Sequence, residues 1–96
     1  MPTFERTARF NRDYASLTPE QKAAVRKMVE KLVTDLRAGK IRPGLRVKSI
    51  QGAEGIFEIT WADDGRATFQ YGEELQPGEP HIIWRRIGTH EVLRTP

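Results

Sequence analysis

A chain of 96 residues, 38% hydrophobic and 30% charged, suits one globular domain and is too short for two. It has no cysteine, which removes disulfides, thiolate nucleophiles and cysteine-based zinc sites, and no apolar run approaches the roughly 18 residues of a membrane span. The net charge of +3 conceals an asymmetry, since residues 1–48 hold 12 Lys/Arg against 5 Asp/Glu and residues 49–96 hold 4 against 8. A basic half points to a polyanion or an acidic protein as partner, although a solvated helix face accounts for such a charge run equally well. The N-terminus lacks the apolar core of a secretory signal, so a cytoplasmic protein is expected.

In chain order, Thr3 to Arg9 alternates roughly and reads as a short first strand. Phe10, Tyr14 and Leu17 follow at the spacing of one helical face. The next helix, from about Thr18 to Arg37, has the clearest signals. Thr18 and Gln21 form a capping box, Pro19 takes the first helical position, and Gly39 and Pro43 end the helix. Val25, Met28, Val29, Leu32, Val33 and Leu36 make its apolar stripe, with Lys22, Arg26, Lys27 and Lys31 around the rest of the circumference.

The period then changes to that of strands. Leu45 to Ile50 and Ile56 to Ala62 are expected as strands around a turn at residues 51–55. Asp63-Asp64-Gly65 is a tight hairpin signal, and Arg66 to Tyr71 pairs back with Ala67, Phe69 and Tyr71 facing the core. After a polar loop from Gly72 to Pro80, His81 to Ile87 is the last long strand, and Thr89 to Pro96 is an edge strand or a tail. The expected architecture is α+β: residues 1–96 form a single two-layer domain, with an N-terminal strand and two helices packed on an antiparallel meander.

Alternation also decides which side chains can meet. Arg46 and Lys48, two positions apart, are expected on one strand face. If Phe57, Ile59, Trp61 and Phe69 pack on the helices, then Glu58, Thr60, Arg66, Thr68 and Gln70 line the opposite, uncovered face. Arg86 and His90 are positioned to converge at the end of the last strand. Such a face suits a nucleic-acid backbone, and an ordinary solvated face is the bland reading of the same spacing. A lone histidine near a terminus is more often structural than catalytic; the turn at Gly88 and the neighbouring arginines raise His90 above that. Clustered cations and an imidazole can bind a phosphodiester and move protons around it. His81 receives no role. The scattered histidines and carboxylates have no metal-ligand spacing, so neither metal nor cofactor is expected.

The order of these pieces resembles the RelE/ParE superfamily of small bacterial toxins from type II toxin-antitoxin systems, particularly its RelE-like mRNA interferase branch. The likeness spans nearly the whole chain. It includes the basic segment ending in Ile50-Gln51-Gly52, then Gly55-Ile56-Phe57-Glu58-Ile59, Gly65-Arg66-Ala67-Thr68-Phe69, and the final Gly88-Thr89-His90-Glu91. The resemblance implies a metal-independent, ribosome-dependent endoribonuclease in which the ribose 2′-hydroxyl attacks the adjacent phosphate. It also implies a cognate antitoxin as protein partner, and mRNA on the ribosome as substrate. By position, Arg66 matches the family's phosphate-stabilising arginine and His90 a basic or imidazole position that acts as acid or stabilises charge. Arg46 and Lys48 fall where residues for substrate binding and proton transfer lie, and Arg86 is a further candidate for RNA phosphate. The tyrosine that many active members carry near this histidine is absent, with Glu91 in its place, and no C-terminal helix follows. The superfamily also contains gyrase-poisoning members with the same fold, so a ParE-like inhibitor and a non-cleaving binding protein are the alternatives.

Overall fold

The computed structural model describes residues 2–96. It contains β1 (Thr3–Arg6), α1 (Ala8–Ala15), α2 (Pro19–Ala38), β2 (Lys48–Ile50), β3 (Ala53–Thr60), β4 (Gly65–Tyr71) and β5 (His81–Thr89). Short 3-10 turns cover Pro43–Leu45 and His90–Arg94. The strands form one five-stranded sheet in the order β1-β5-β4-β3-β2. Four strands make the expected antiparallel meander, while β1 runs parallel to β5 along its outer edge. No helix among the described residues is long and apolar enough to cross a membrane.

The α2 boundaries follow their local chemistry. The Gln21 backbone N–H donates to Thr18 Oγ1 at 3.1 Å and the Thr18 N–H donates to Gln21 Oε1 at 2.8 Å, so two otherwise orphaned donors are satisfied. Gly39 closes the helix at φ 81°, a left-handed conformation glycine adopts without a Cβ penalty. A buried carboxylate then sets the path of the outgoing chain. Asp35, on the last turn, accepts from the Arg42 backbone N–H at 2.9 Å, from its Nε at 2.8 Å and from its Nη2 at 2.9 Å. These bonds hold the Asp35 carboxyl at about 2 and fold residues 39–42 back on the helix.

The core lies between α2 and one face of the sheet. Val25, Met28 and Leu32 pack with Ile59, Ala67, Phe69, Ile82, Trp84 and Ile87, and Leu32, Ile59, Phe69 and Ile82 are wholly buried. The core positions on β5 break strict alternation. Thr68 is opposite Arg86 and Phe69 opposite Trp84, so Arg85 is an extra residue and forms a β-bulge. The bulge shifts the parity and lets Trp84 and Ile87 face the same core.

Several expected boundaries move. Thr7 ends the first strand early, because its hydroxyl accepts from the Phe10 N–H at 3.1 Å and caps α1 instead of continuing toward Arg9. The segment 45–50 is a strand only from Lys48. Pro43–Leu45 is a 3-10 turn, and Arg46 lies at φ 53°, outside any ladder. β3 starts at Ala53, and the β2–β3 register slips after Ser49. Tyr71 is not a core residue: at the end of β4 it is half exposed and edges against Phe57 and Phe69. Residues 90–94 form neither an edge strand nor a loose tail, because Val92 is buried, its side chain lying over Gly88.

Candidate active site

The β3–β4 hairpin and the end of β5 place the candidate groups. Gly65 pairs with Thr89 and Arg66 with Gly88, which sets His90 beside the hairpin loop. There its Nδ1 bonds the Asp64 carboxylate. His90 Nε2 lies 3.8 Å from Glu91 Oε1, and both His90 and Asp64 are more than half exposed. The bond to His90, helped by the nearby Arg66 charge, lowers the Asp64 carboxyl below its ordinary range. A carboxylate on one ring nitrogen orients the imidazole and leaves the other to exchange a proton.

Arg66 is held by the same loop. Its Nη1 donates to the carbonyls of Gly65 at 2.9 Å, Asp63 at 3.1 Å and Ala62 at 3.3 Å, leaving Nε and Nη2 without a bond among the described residues. Trp61 completes the frame, donating from its indole N–H to the Arg66 carbonyl at 3.1 Å. A Cβ on Gly65 would come within 2.5 Å of that ring, so only glycine fits there. The hairpin therefore presents a fixed guanidinium edge next to an oriented imidazole.

The other predicted site residues separate. Lys48 pairs across the sheet with Glu58, which pairs with Thr68, placing all three on the Arg66 face two residues along the strands from it. Its ammonium is exposed and 3.7 Å from the nearly buried Glu58 carboxylate. Arg46 does not share that face. Its left-handed backbone takes it out of the sheet and into a cavity against α2. Arg86 does not converge with His90 either. Its Nε donates to Asp13 at 2.8 Å and its Nη1 to Thr95 Oγ1 at 2.8 Å, while Asp13 also accepts from the Ile87 N–H at 3.2 Å. β1 stops at Arg6 and leaves that edge of β5 unpaired, so an ion pair from α1 satisfies it. The sheet face opposite the helices is not uncovered: Thr68 is fully buried, Glu58 nearly so, and Arg85 lies across it, donating to Gln70 at 2.5 Å and to the Pro96 carbonyl at 3.1 Å.

Sequence reasoning missed Asp64, Glu58 and Asp13. Asp64 was visible only as a turn residue and Glu58 only as the outward member of an alternation. Nothing in the spacing linked Asp13 to a strand more than seventy residues away. His81, given no role, is buried, with Thr3 Oγ1 2.7 Å from its Nδ1 and Glu5 Oε1 2.7 Å from its Nε2, and so ties β1 to β5. Among the described residues no three His, Asp or Glu side chains gather closely enough to hold a metal ion.

No family model matches the sequence, and no curated protein matches it. Solved structures do. The chain is similar to the RelB-RelE antitoxin-toxin complex from Methanococcus jannaschii, with a TM-score of 0.65 and 13% identity over 94% of both chains. It is similar to the E. coli DinJ-YafQ complex, with a TM-score of 0.66 and 16% identity over 97% of this chain and 98% of that one. A metal-bound toxin from Helicobacter pylori superposes with a TM-score of 0.62 and 21% identity over 97% and 99% of the two chains. Each likeness spans almost the whole of both chains, and at these identities it is a likeness of fold: this chain has the α+β fold of RelE-like toxins.

Proposed function

We propose that this protein is the toxin of a type II toxin-antitoxin pair and cleaves mRNA on the ribosome without a metal. The observation that carries the reading is the oriented His90–Asp64 pair beside the fixed guanidinium of Arg66, on the fold of RelE-like toxins. In the reaction the ribose 2′-oxygen bonds to the adjacent phosphorus and the bond from phosphorus to the 5′-oxygen breaks. The products are a 2′,3′-cyclic phosphate and a 5′-hydroxyl. His90 gives the proton that the leaving 5′-oxygen takes up, and Arg66 opposes the charge that builds on the phosphoryl oxygens. The proton lost by the 2′-hydroxyl goes to the Glu58 carboxylate, and the Lys48 ammonium, 3.7 Å from that carboxylate, opposes the charge left on the 2′-oxygen. The basic surface of α2 suits an acidic antitoxin segment that folds on binding.

A second reading, a member that binds RNA or protein without cutting, draws support from the engagement of Arg66, Lys48 and Arg86 in bonds of the fold itself. Induced expression without an antitoxin separates the readings. Growth arrest with mRNA cut inside translated regions, mapped by primer extension, is expected. Arrest with intact mRNA and broken chromosomes indicates gyrase poisoning instead, and no arrest indicates the non-cleaving protein.

A further inference from the structure

Between α2 and the β3–β4 hairpin lies a cavity of about 660 Å³ that the cleavage chemistry leaves unused. Lys27 and Lys31 of α2 and Arg46 line it, and Asp63 is the one opposing charge. None of these three cations has an ion pair or a side-chain hydrogen bond among the described residues. Stability does not explain the arrangement. Lys27 and Lys31 are like charges one turn apart, and Arg46 is the one non-glycine at positive φ among the described residues. Trp61, Met28 and Leu45 add apolar surface to the same lining. Unpaired cations beside an aromatic ring match the phosphate and the base of an unstacked nucleotide.

We propose that this cavity binds a nucleotide of single-stranded RNA flanking the bond that is cut. The inference rests on the RNA-cleaving reading, because cavity and histidine share one wall. Ala62 and Asp63 line the cavity and offer their carbonyls to Arg66, and the next residue, Asp64, holds His90. The cations take the phosphate and Trp61 takes the base, so this subsite helps to set which sequence is presented for cleavage. Duplex RNA keeps its bases stacked inside and can offer the cavity only its backbone.

The test uses a single-stranded 2′-O-methyl oligonucleotide, which lacks the attacking hydroxyl, titrated against the isolated protein by fluorescence anisotropy. The combined variant Lys27→Gln, Lys31→Gln, Arg46→Gly is expected to bind on the order of tenfold more weakly at about 100 mM salt, with the salt dependence of log K reduced by roughly 0.7 for each phosphate no longer neutralised. Trp84 is buried, so quenching of tryptophan fluorescence by the oligonucleotide is expected to vanish in Trp61→Phe. If the wild type binds in this way but cuts no mRNA, single-stranded RNA binding in the cavity stands, while the cleavage reading falls and with it the subsite's place beside a cut bond. If the combined variant, folded by circular dichroism, binds like the wild type, the inference is overturned even where the wild type cuts. It is equally overturned if duplex binds as tightly as single strand, or if the variant loses binding to an acidic peptide while keeping RNA.

Discussion

Asp64 and His90 are 26 positions apart in the chain and meet because β5 runs back past the β3–β4 loop. In the proposed reaction Asp64 orients the imidazole and His90 carries the proton, so the two substitutions should differ. His90→Ala is expected to slow single-turnover cleavage on programmed ribosomes by roughly 10²–10⁴-fold, the usual range for a positioned acid or base. Asp64→Asn keeps the imidazole but loses its anionic partner, and should slow cleavage less. In the proposed reaction Arg66 opposes the phosphoryl charge, so Arg66→Ala should cost roughly 10²–10³-fold in rate with the circular dichroism spectrum unchanged. Arg66→Lys should recover little, since an ammonium cannot hold the Ala62–Gly65 carbonyls and still present a second donor edge to phosphate.

The elements rest on two different kinds of interaction. Leu32 has no exposed surface and sits at the centre of the α2–sheet interface, so Leu32→Ala should cost roughly 2–5 kcal/mol in urea unfolding. The end of α2 depends on charge instead. Bonding to Arg42 depresses the Asp35 carboxyl to about 2, below its range in the unfolded chain. Its stabilising contribution is therefore complete above about pH 4 and fades as the pH falls toward 2, because the folded state resists a proton that the unfolded chain accepts. Wild type should thus be more stable than Asp35→Asn at neutral pH, and in urea titrations the gap should narrow steadily below about pH 4.

At the scale of the whole molecule, β1 joins the two ends of the chain by pairing parallel to β5. A parallel edge strand of four residues is a weak element, and the buried His81 strengthens it with one bond to Thr3 and one to Glu5. His81→Ala should cost roughly 1–3 kcal/mol for the two bonds. Hydrogen exchange should accelerate in residues 3–6 before the β3–β4 hairpin is affected. Faster exchange spread evenly over the sheet would show that β1 is not a separate unit of stability.

Local chemistry alone determined much of this protein. The capping box at Thr18, the glycine stop at Gly39 and, except for Val33, the apolar stripe of α2 depend on neighbours within a few residues and occur where the sequence indicates. The β3–β4 hairpin forms too, but not as a tight Asp-Gly turn: residues 61–64 make the loop, and Gly65 is the first residue of β4, outside the positive-φ region. The α+β meander follows from their order, and Arg66 and His90 were legible as a cation and an imidazole near strand ends. The tertiary structure decided what those groups touch. The parallel placement of β1, the parity change at Arg85, the Asp13–Arg86 pair and the Asp64–His90 pair each join distant positions, and no periodicity encodes such a partner. Arg46 illustrates the limit most directly. Strand spacing puts it on a face with Lys48, but a 3-10 turn and one left-handed residue turn it toward α2 instead. Backbone direction at one residue is set by interactions made elsewhere, and it decides which side of the sheet a charge occupies.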